Sequence, residues 1–189
     1  LAKADLATRM VVEMTSLQGE MGREYALREG ERPEVAEAIF EHLLPRFAGD
    51  RVPVTRPGLT VGLADRLDTL IGLFAVGLQP TGASDPFAMR RSAIGTIQSL
   101  VANEIEFDLR RGIRLAAAGL PLTVSEGIMA ECLQFIIARH QALLLAEGYR
   151  YDVVDAVLAA QGHNPAAAAH AVMALEKWMQ RDDWSKILQ

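Results

Sequence analysis

Along this chain apolar positions recur at helical spacing, and no stretch alternates convincingly at a period of two. Over residues 4–17, Leu6, Met10, Met14 and Leu17 fall three and four apart, which predicts one helix with a single buried stripe. A second helix is predicted after Arg32, where Pro33 suits a first turn and Val35, Ile39, Leu43 and Leu44 extend the apolar face until Pro45. Residues 47–58 hold Gly49, Pro53 and Pro57 and are predicted to be irregular. A third helix, residues 59–76, places Leu63, Leu67, Leu70, Ile71 and Phe74 inward and is apolar enough to lie at the centre. Gly72 and Gly77 near its end read as packing and termination devices.

Two prolines, Gly82 and the Ser84-Asp85-Pro86 triplet make residues 77–86 a loop, with Ser84 or Asp85 available to cap a fourth helix over residues 87–102. Another amphipathic stretch covers residues 105–118, and Gly119-Leu120-Pro121 is the clearest boundary between subregions. Beyond it, residues 124–147 read as a long helix and residues 151–160 as a short one. Residues 164–179 form a last helix, capped by Asn164 with Pro165 in the first turn. Eight or so helices without strands make the fold all-α, and the uneven loops argue against a simple symmetric bundle.

Composition changes this picture little: 189 residues, with 19 basic against 24 acidic side chains for a net charge of −5, describe an ordinary globular protein. The charge is unevenly spread. Residues 1–50 carry −4, residues 51–115 carry +2 and residues 116–189 carry −3, so a polyanion is drawn to the middle. One cysteine, Cys132, excludes an internal disulfide framework and a multi-cysteine zinc site, and fits a cytoplasmic location; its helix position reads as packing. The longest apolar run, residues 70–78, is too short to span a bilayer, so no membrane segment is expected. Leu1 is not preceded by methionine, which reads as a piece of something longer.

Candidate chemistry is sparse. No glycine loop continues to a Gly-Lys-Ser/Thr that could hold phosphates, and none of the four histidines belongs to a hydrolase elbow pattern. His140, His163 and His170 are scattered without a carboxylate at ligand spacing, so no metal is expected there. Leu63-Ala64-Asp65-Arg66-Leu67-Asp68 resembles the last metal-binding helix of histidine-aspartate (HD) phosphohydrolases. In Lys3-Ala4-Asp5, however, an alanine stands where that family's His-Asp pair needs its histidine, and Lys3 repels a divalent ion. A working phosphohydrolase on Asp5, His42 and Asp65 is the enzymatic alternative; Asp5 and Asp65 capping or pairing within an emptied site is the plainer one. Arg90-Arg91 and Arg110-Arg111 with Arg114 are the densest basic clusters, at spacings that allow phosphate contact from a helix face. With only Phe87 and Phe107 nearby, RNA would be held by backbone and shape.

Taken together, several segments resemble the beta subunit of bacterial-type glycyl-tRNA synthetases. They are Lys3-Ala4-Asp5-Leu6-Ala7-Thr8, Leu17-Gln18-Gly19-Glu20-Met21-Gly22-Arg23, Pro45-Arg46-Phe47-Ala48-Gly49-Asp50, Leu63-Ala64-Asp65-Arg66-Leu67-Asp68-Thr69-Leu70 and Pro80-Thr81-Gly82-Ala83-Ser84-Asp85-Pro86-Phe87-Ala88-Met89-Arg90-Arg91. Phe135-Ile136 and Val153-Val154-Asp155-Ala156-Val157-Leu158-Ala159 extend the likeness into the final third. Met14-Thr15-Ser16 and Leu43-Leu44 depart from the family pattern. The resemblance implies an internal piece: an HD-like helical domain over residues 1–118 with a degenerate metal site, then a helical body over residues 119–189 leading toward the anticodon module and stopping before most of it. It implies no catalytic centre and no cofactor here, with ATP and magnesium at an alpha subunit or fused alpha module. The implied partners are tRNA-Gly and that alpha subunit, and no membrane. Arg90, Arg91 and Lys3, with Arg23 and Arg110 behind them, are the expected phosphate contacts. A docking module for the alpha subunit that touches RNA only incidentally is the structural alternative.

Overall fold

The computed structural model describes residues 2–181 apart from Ala48 and Ala83. Expectations that fall on Leu1, on those two alanines and on residues 182–189, including the chain's last residues, lie outside the described residues. Among the described residues there are nine α-helices and no strand, with one isolated bridge between Thr81 and Ser84 inside a loop. The helices are α1 (Arg9–Glu13), α2 (Glu20–Arg28), α3 (Pro33–Glu41), α4 (Arg56–Ala75), α5 (Met89–Ala102), α6 (Leu109–Gly119), α7 (Glu126–Ala146), α8 (Tyr151–Gln161) and α9 (Pro165–Met179). The all-α expectation is met.

The central expectation holds residue by residue: Leu63, Leu67, Leu70, Ile71 and Phe74 are all buried on α4. They join Ile97 and Leu100 of α5, Ile113 of α6 and Cys132 and Ile136 of α7 in the main core. Burying side chains of this kind contributes about 1.5–3 kcal/mol each. A second cluster gathers Leu144 at the end of α7 with Val153, Val154, Val157 and Leu158 of α8 and Ala168 and Val172 of α9. The start of α6 is tied to the turn between α8 and α9, because Leu109 N–H donates to His163 O at 2.9 Å and Phe107 N–H to Asn164 Oδ1 at 3.4 Å.

The first helix is the clearest correction. Residues 4–17 form two 3₁₀ turns around the five-residue α1, and Leu6, Met10 and Met14 are 46%, 45% and 57% exposed rather than a buried stripe. Asp5 and Val11 point inward instead. Asp5 explains the break: its Oδ2 accepts the Gly19 N–H at 2.6 Å, which pins the chain across the start of α2, where Gly19 takes a φ of +79°. The third helix also starts earlier than its pattern, at Arg56, because Pro57 sits in its first turn rather than outside it and Thr55 caps it. Asp85 caps α5 as expected, accepting from Met89 N–H at 2.9 Å and Arg90 N–H at 3.0 Å.

α7, and not residues 70–78, is the described helix long and apolar enough by composition to cross a membrane. Here it carries Cys132, Ile136, His140 and Leu144 into the protein. Burial pushes the Cys132 thiol up to about 12 from an ordinary 9.0. Its thiolate population is therefore on the order of a thousandfold below that of a free cysteine. A disulfide reagent is expected to leave Cys132 unmodified in the folded protein and to titrate one thiol in denaturant; rapid labelling under native conditions would contradict this packing.

Candidate nucleic-acid interface

The site is built where the segment between α3 and α4 folds against the start of α5. Glu41, buried at the end of α3, accepts the Val54 N–H at 2.9 Å, the Thr55 N–H at 3.0 Å and the Thr55 hydroxyl. Thr55 Oγ1 in turn caps α4 at Gly58 N–H, 3.1 Å away. One carboxylate thus closes the loop of residues 42–55 on itself and fixes where α4 begins.

His42, the next residue, is 1% exposed, and its Nδ1–H donates to Ile39 O at 2.6 Å. That bond leaves Nε2 with its lone pair, and Nε2 has no partner. Burial pushes the imidazole pKa down, against the Ile39 bond and Asp65, which raise it, while Lys3 and Arg66 lower it further. Nearly three turns into α4, Arg66 is also buried and donates through Nη2 to Leu44 O at 2.5 Å. Two glycines make this possible. A Cβ at Gly62 would lie 2.8 Å from Arg66 Nη1, and one at Gly95 on α5 would lie 2.9 Å from Arg66 Nε. Arg66 Nη1 has no hydrogen-bond partner, and burial lowers the guanidinium pKa, opposed by Asp65.

Lys3 Nζ meets Asp65 Oδ1 at 2.5 Å in a half-exposed pair. Arg46 bonds Asp50 Oδ2 through its backbone N–H and through Nε, both at 3.0 Å, and lies 5.8 Å over the Phe40 ring. These side chains and the exposed Arg91 converge: Lys3, His42, Arg46, Asp65, Arg66 and Arg91 line one cavity of about 520 Å³. Asp65 is its single carboxylate.

The expected contact residues separate accordingly. Lys3 and Arg91 come together on this cavity. Arg90 lies beside it but turns back to Gly82 O at 2.5 Å, bracing the loop ahead of α5. Arg23 is held among Glu20 (3.0 Å), Glu24 (3.7 Å) and Glu37 (3.6 Å), with its guanidinium 5.0 Å over Phe40. Arg110 is clamped bidentately by Asp108 at the start of α6, and its hydrogen bonds hold the Asp108 carboxyl down at about 2. It lines a different cavity, beside His163. Arg46 and Arg66, though within the family-like segments, are not among the contacts the sequence singles out. The signal for Arg66 was the pair Gly62 and Gly95, meaningful only once α4 and α5 are known to touch.

The residues present do not fit a metal centre. Asp5 gives Oδ2 to Gly19 and keeps Oδ1 buried without a partner, Asp65 is paired with Lys3, and among the described residues no group of three or more His, Cys, Asp or Glu is placed to hold an ion. Asp5 holds a backbone amide and Asp65 an ammonium group.

The sequence profile described as "Glycyl-tRNA synthetase beta subunit" matches residues 1–159. The glycine–tRNA ligase beta subunit of Desulforamulus reducens is 50% identical over 165 residues, covering 85% of this chain and 24% of the relative. That of Moorella thermoacetica is 45% identical over 193 residues, covering 99% of this chain and 28% of the relative. A chloroplastic/mitochondrial glycine–tRNA ligase of Arabidopsis thaliana is 41% identical over 189 residues, all of this chain and 18% of the plant protein. The chain thus spans about a quarter of the bacterial relatives it matches. With the profile covering most of its length, the chain belongs to the glycyl-tRNA synthetase beta subunit family.

Proposed function

We propose that this chain is the part of a glycine–tRNA ligase beta subunit that binds tRNA-Gly and positions it for glycylation elsewhere. ATP and magnesium act at an alpha subunit or module, and the residues here contribute orientation rather than chemistry. Residues 1–118 form the HD-like portion, and residues 119–189 the helical body that follows. The observation that carries the reading is the convergence of Lys3, Arg46, Arg66 and Arg91 on one open cavity whose single carboxylate, Asp65, is paired with Lys3. Cations arranged this way meet phosphates and carry no base readout.

Among the expected contacts we rank Arg91 first, with no carboxylate at ion-pair distance among the described residues, then Lys3, on the same cavity though paired with Asp65, then Arg90, and Arg23 and Arg110 last, because both are ion-paired and neither lines that cavity. Filter binding of tRNA-Gly to the complete synthetase tests this ranking. The Lys3→Ala, Arg91→Ala pair is expected to weaken binding and to flatten the dependence of log K on log salt by roughly 0.7–0.9 per lost contact. The Arg23→Ala, Arg110→Ala pair is expected to leave that slope unchanged. An unaltered slope in the first pair would refute the assignment.

A further inference from the structure

The cavity between α4 and the start of α5 carries more than a diffuse positive patch. Four cationic side chains line it, against the single carboxylate of Asp65, which is taken by Lys3. Arg46 is neutralised by Asp50 from outside the lining. Arg66 and Arg91 are left without a carboxylate at ion-pair distance among the described residues. For the exposed Arg91 this is unremarkable. For Arg66 it is not: a guanidinium taken out of water, bonded to one carbonyl and with Nη1 unpartnered, is a desolvated charge that only the neighbouring Asp65, itself paired with Lys3, partly offsets. Two helices have given up side chains at Gly62 and Gly95 to accommodate it there.

The remaining lining is polar in the right sense. Ser16, Thr69 and Ser92 supply hydroxyls to the lining, and His42 forms part of the wall with its Nε2 buried from solvent. A ligand that suits this set presents negative oxygens to Arg91 and Lys3, with the buried charge of Arg66 behind them, and accepts hydrogen bonds from the hydroxyls. A phosphate, with more acceptor oxygens than a carboxylate and up to twice its charge, can meet the cations and the hydroxyls at once.

We propose that this cavity is an oxyanion site that seats one phosphate group. The proposal rests on and deepens the reading of the same face given above, by replacing scattered backbone contacts with one position in this cavity. The phosphate can come from RNA, as a backbone or terminal group, or from a free phosphate or mononucleotide; the chemistry recognised is the same.

The test uses the complete subunit with its catalytic partner and inorganic phosphate as the probe, titrated by calorimetry at constant ionic strength against chloride. Saturable binding of one phosphate per chain is expected, weakened about tenfold by Arg91→Ala, which removes one charge-assisted contact. Arg66→Gln is expected to abolish it. Because Arg66 also braces Leu44, the exposed and unbonded Arg91 serves as the variant that keeps its fold. Phosphate binding no stronger than chloride, or binding untouched by Arg91→Ala, overturns the proposal. Adding tRNA-Gly then identifies the source: displacement of the bound phosphate assigns the position to an RNA phosphate, and simultaneous binding assigns it to a free one. Loss of tRNA affinity in the Lys3 and Arg91 variants without any phosphate binding would sink this inference and leave the tRNA reading standing. Phosphate binding with unaltered tRNA affinity would do the reverse.

Discussion

Glu41→Ala is expected to destabilise the fold by about 3 kcal/mol, more than any surface substitution, since charge-assisted hydrogen bonds contribute about 1.5–3 kcal/mol each. The variant strips an acceptor from the Val54 N–H, the Thr55 N–H and the Thr55 hydroxyl at once. Val54 is exposed, so its amide recovers part of the loss from water, which is why three bonds are not counted in full. Glu41→Gln is the gentler probe: the amide keeps one accepting oxygen but turns an NH₂ group toward Thr55, donor against donor. Urea unfolding checks both, and hydrogen exchange at the first amides of α4 localises the effect. A shift of less than about 0.5 kcal/mol for Glu41→Ala, the range of ordinary surface changes, would show that the carboxylate is not the pin. The consequence reaches the cavity, because His42 and Arg46 sit on the loop that Glu41 closes.

Acid is expected to weaken the protein well above the range where carboxylates titrate. His140 on α7 is 2% exposed with Nδ1 unpartnered, and burial pushes its pKa down to about 4. The unfolded chain binds a proton near pH 6.5 that the folded protein refuses. Stability therefore falls as pH drops from about 6.5 to about 4 and levels off for this residue below that, at a full cost of about 3 kcal/mol. His42 pushes in the same direction. His140→Leu keeps the apolar packing and removes the titration, so its advantage over the parent is expected to grow on going from pH 7.5 to pH 4.5. Parallel stability curves for parent and variant across that window would show that His140 does not titrate as a buried neutral imidazole.

These two residues show how far reading the chain could go. Glu41 and His140 carry no sequence signal of burial; each sits in a helix where a polar side chain is usually solvated. The helices themselves were legible where a long apolar stripe coincided with a cap. α4, α5, α7 and α9 follow their patterns closely, with Asp85 and Asn164 capping as their positions suggest. α1 was misread because its segment is too short for periodicity to outweigh one buried carboxylate, Asp5, that fastens it to Gly19.

Family membership and the all-α class were set by local order along the chain: caps, prolines, apolar spacing and a series of motifs in sequence. Those are properties of neighbours within a few turns, so a linear reading captures them. Which cations matter was decided in three dimensions. Arg23 and Arg110 have carboxylate companions, Arg90 folds back onto Gly82, and Lys3, Arg46, Arg66 and Arg91, distant in the chain, meet around one cavity. Charge acts through space at a few ångströms, and only the packing of α4 against α5 and the loop pinned by Glu41 sets those distances.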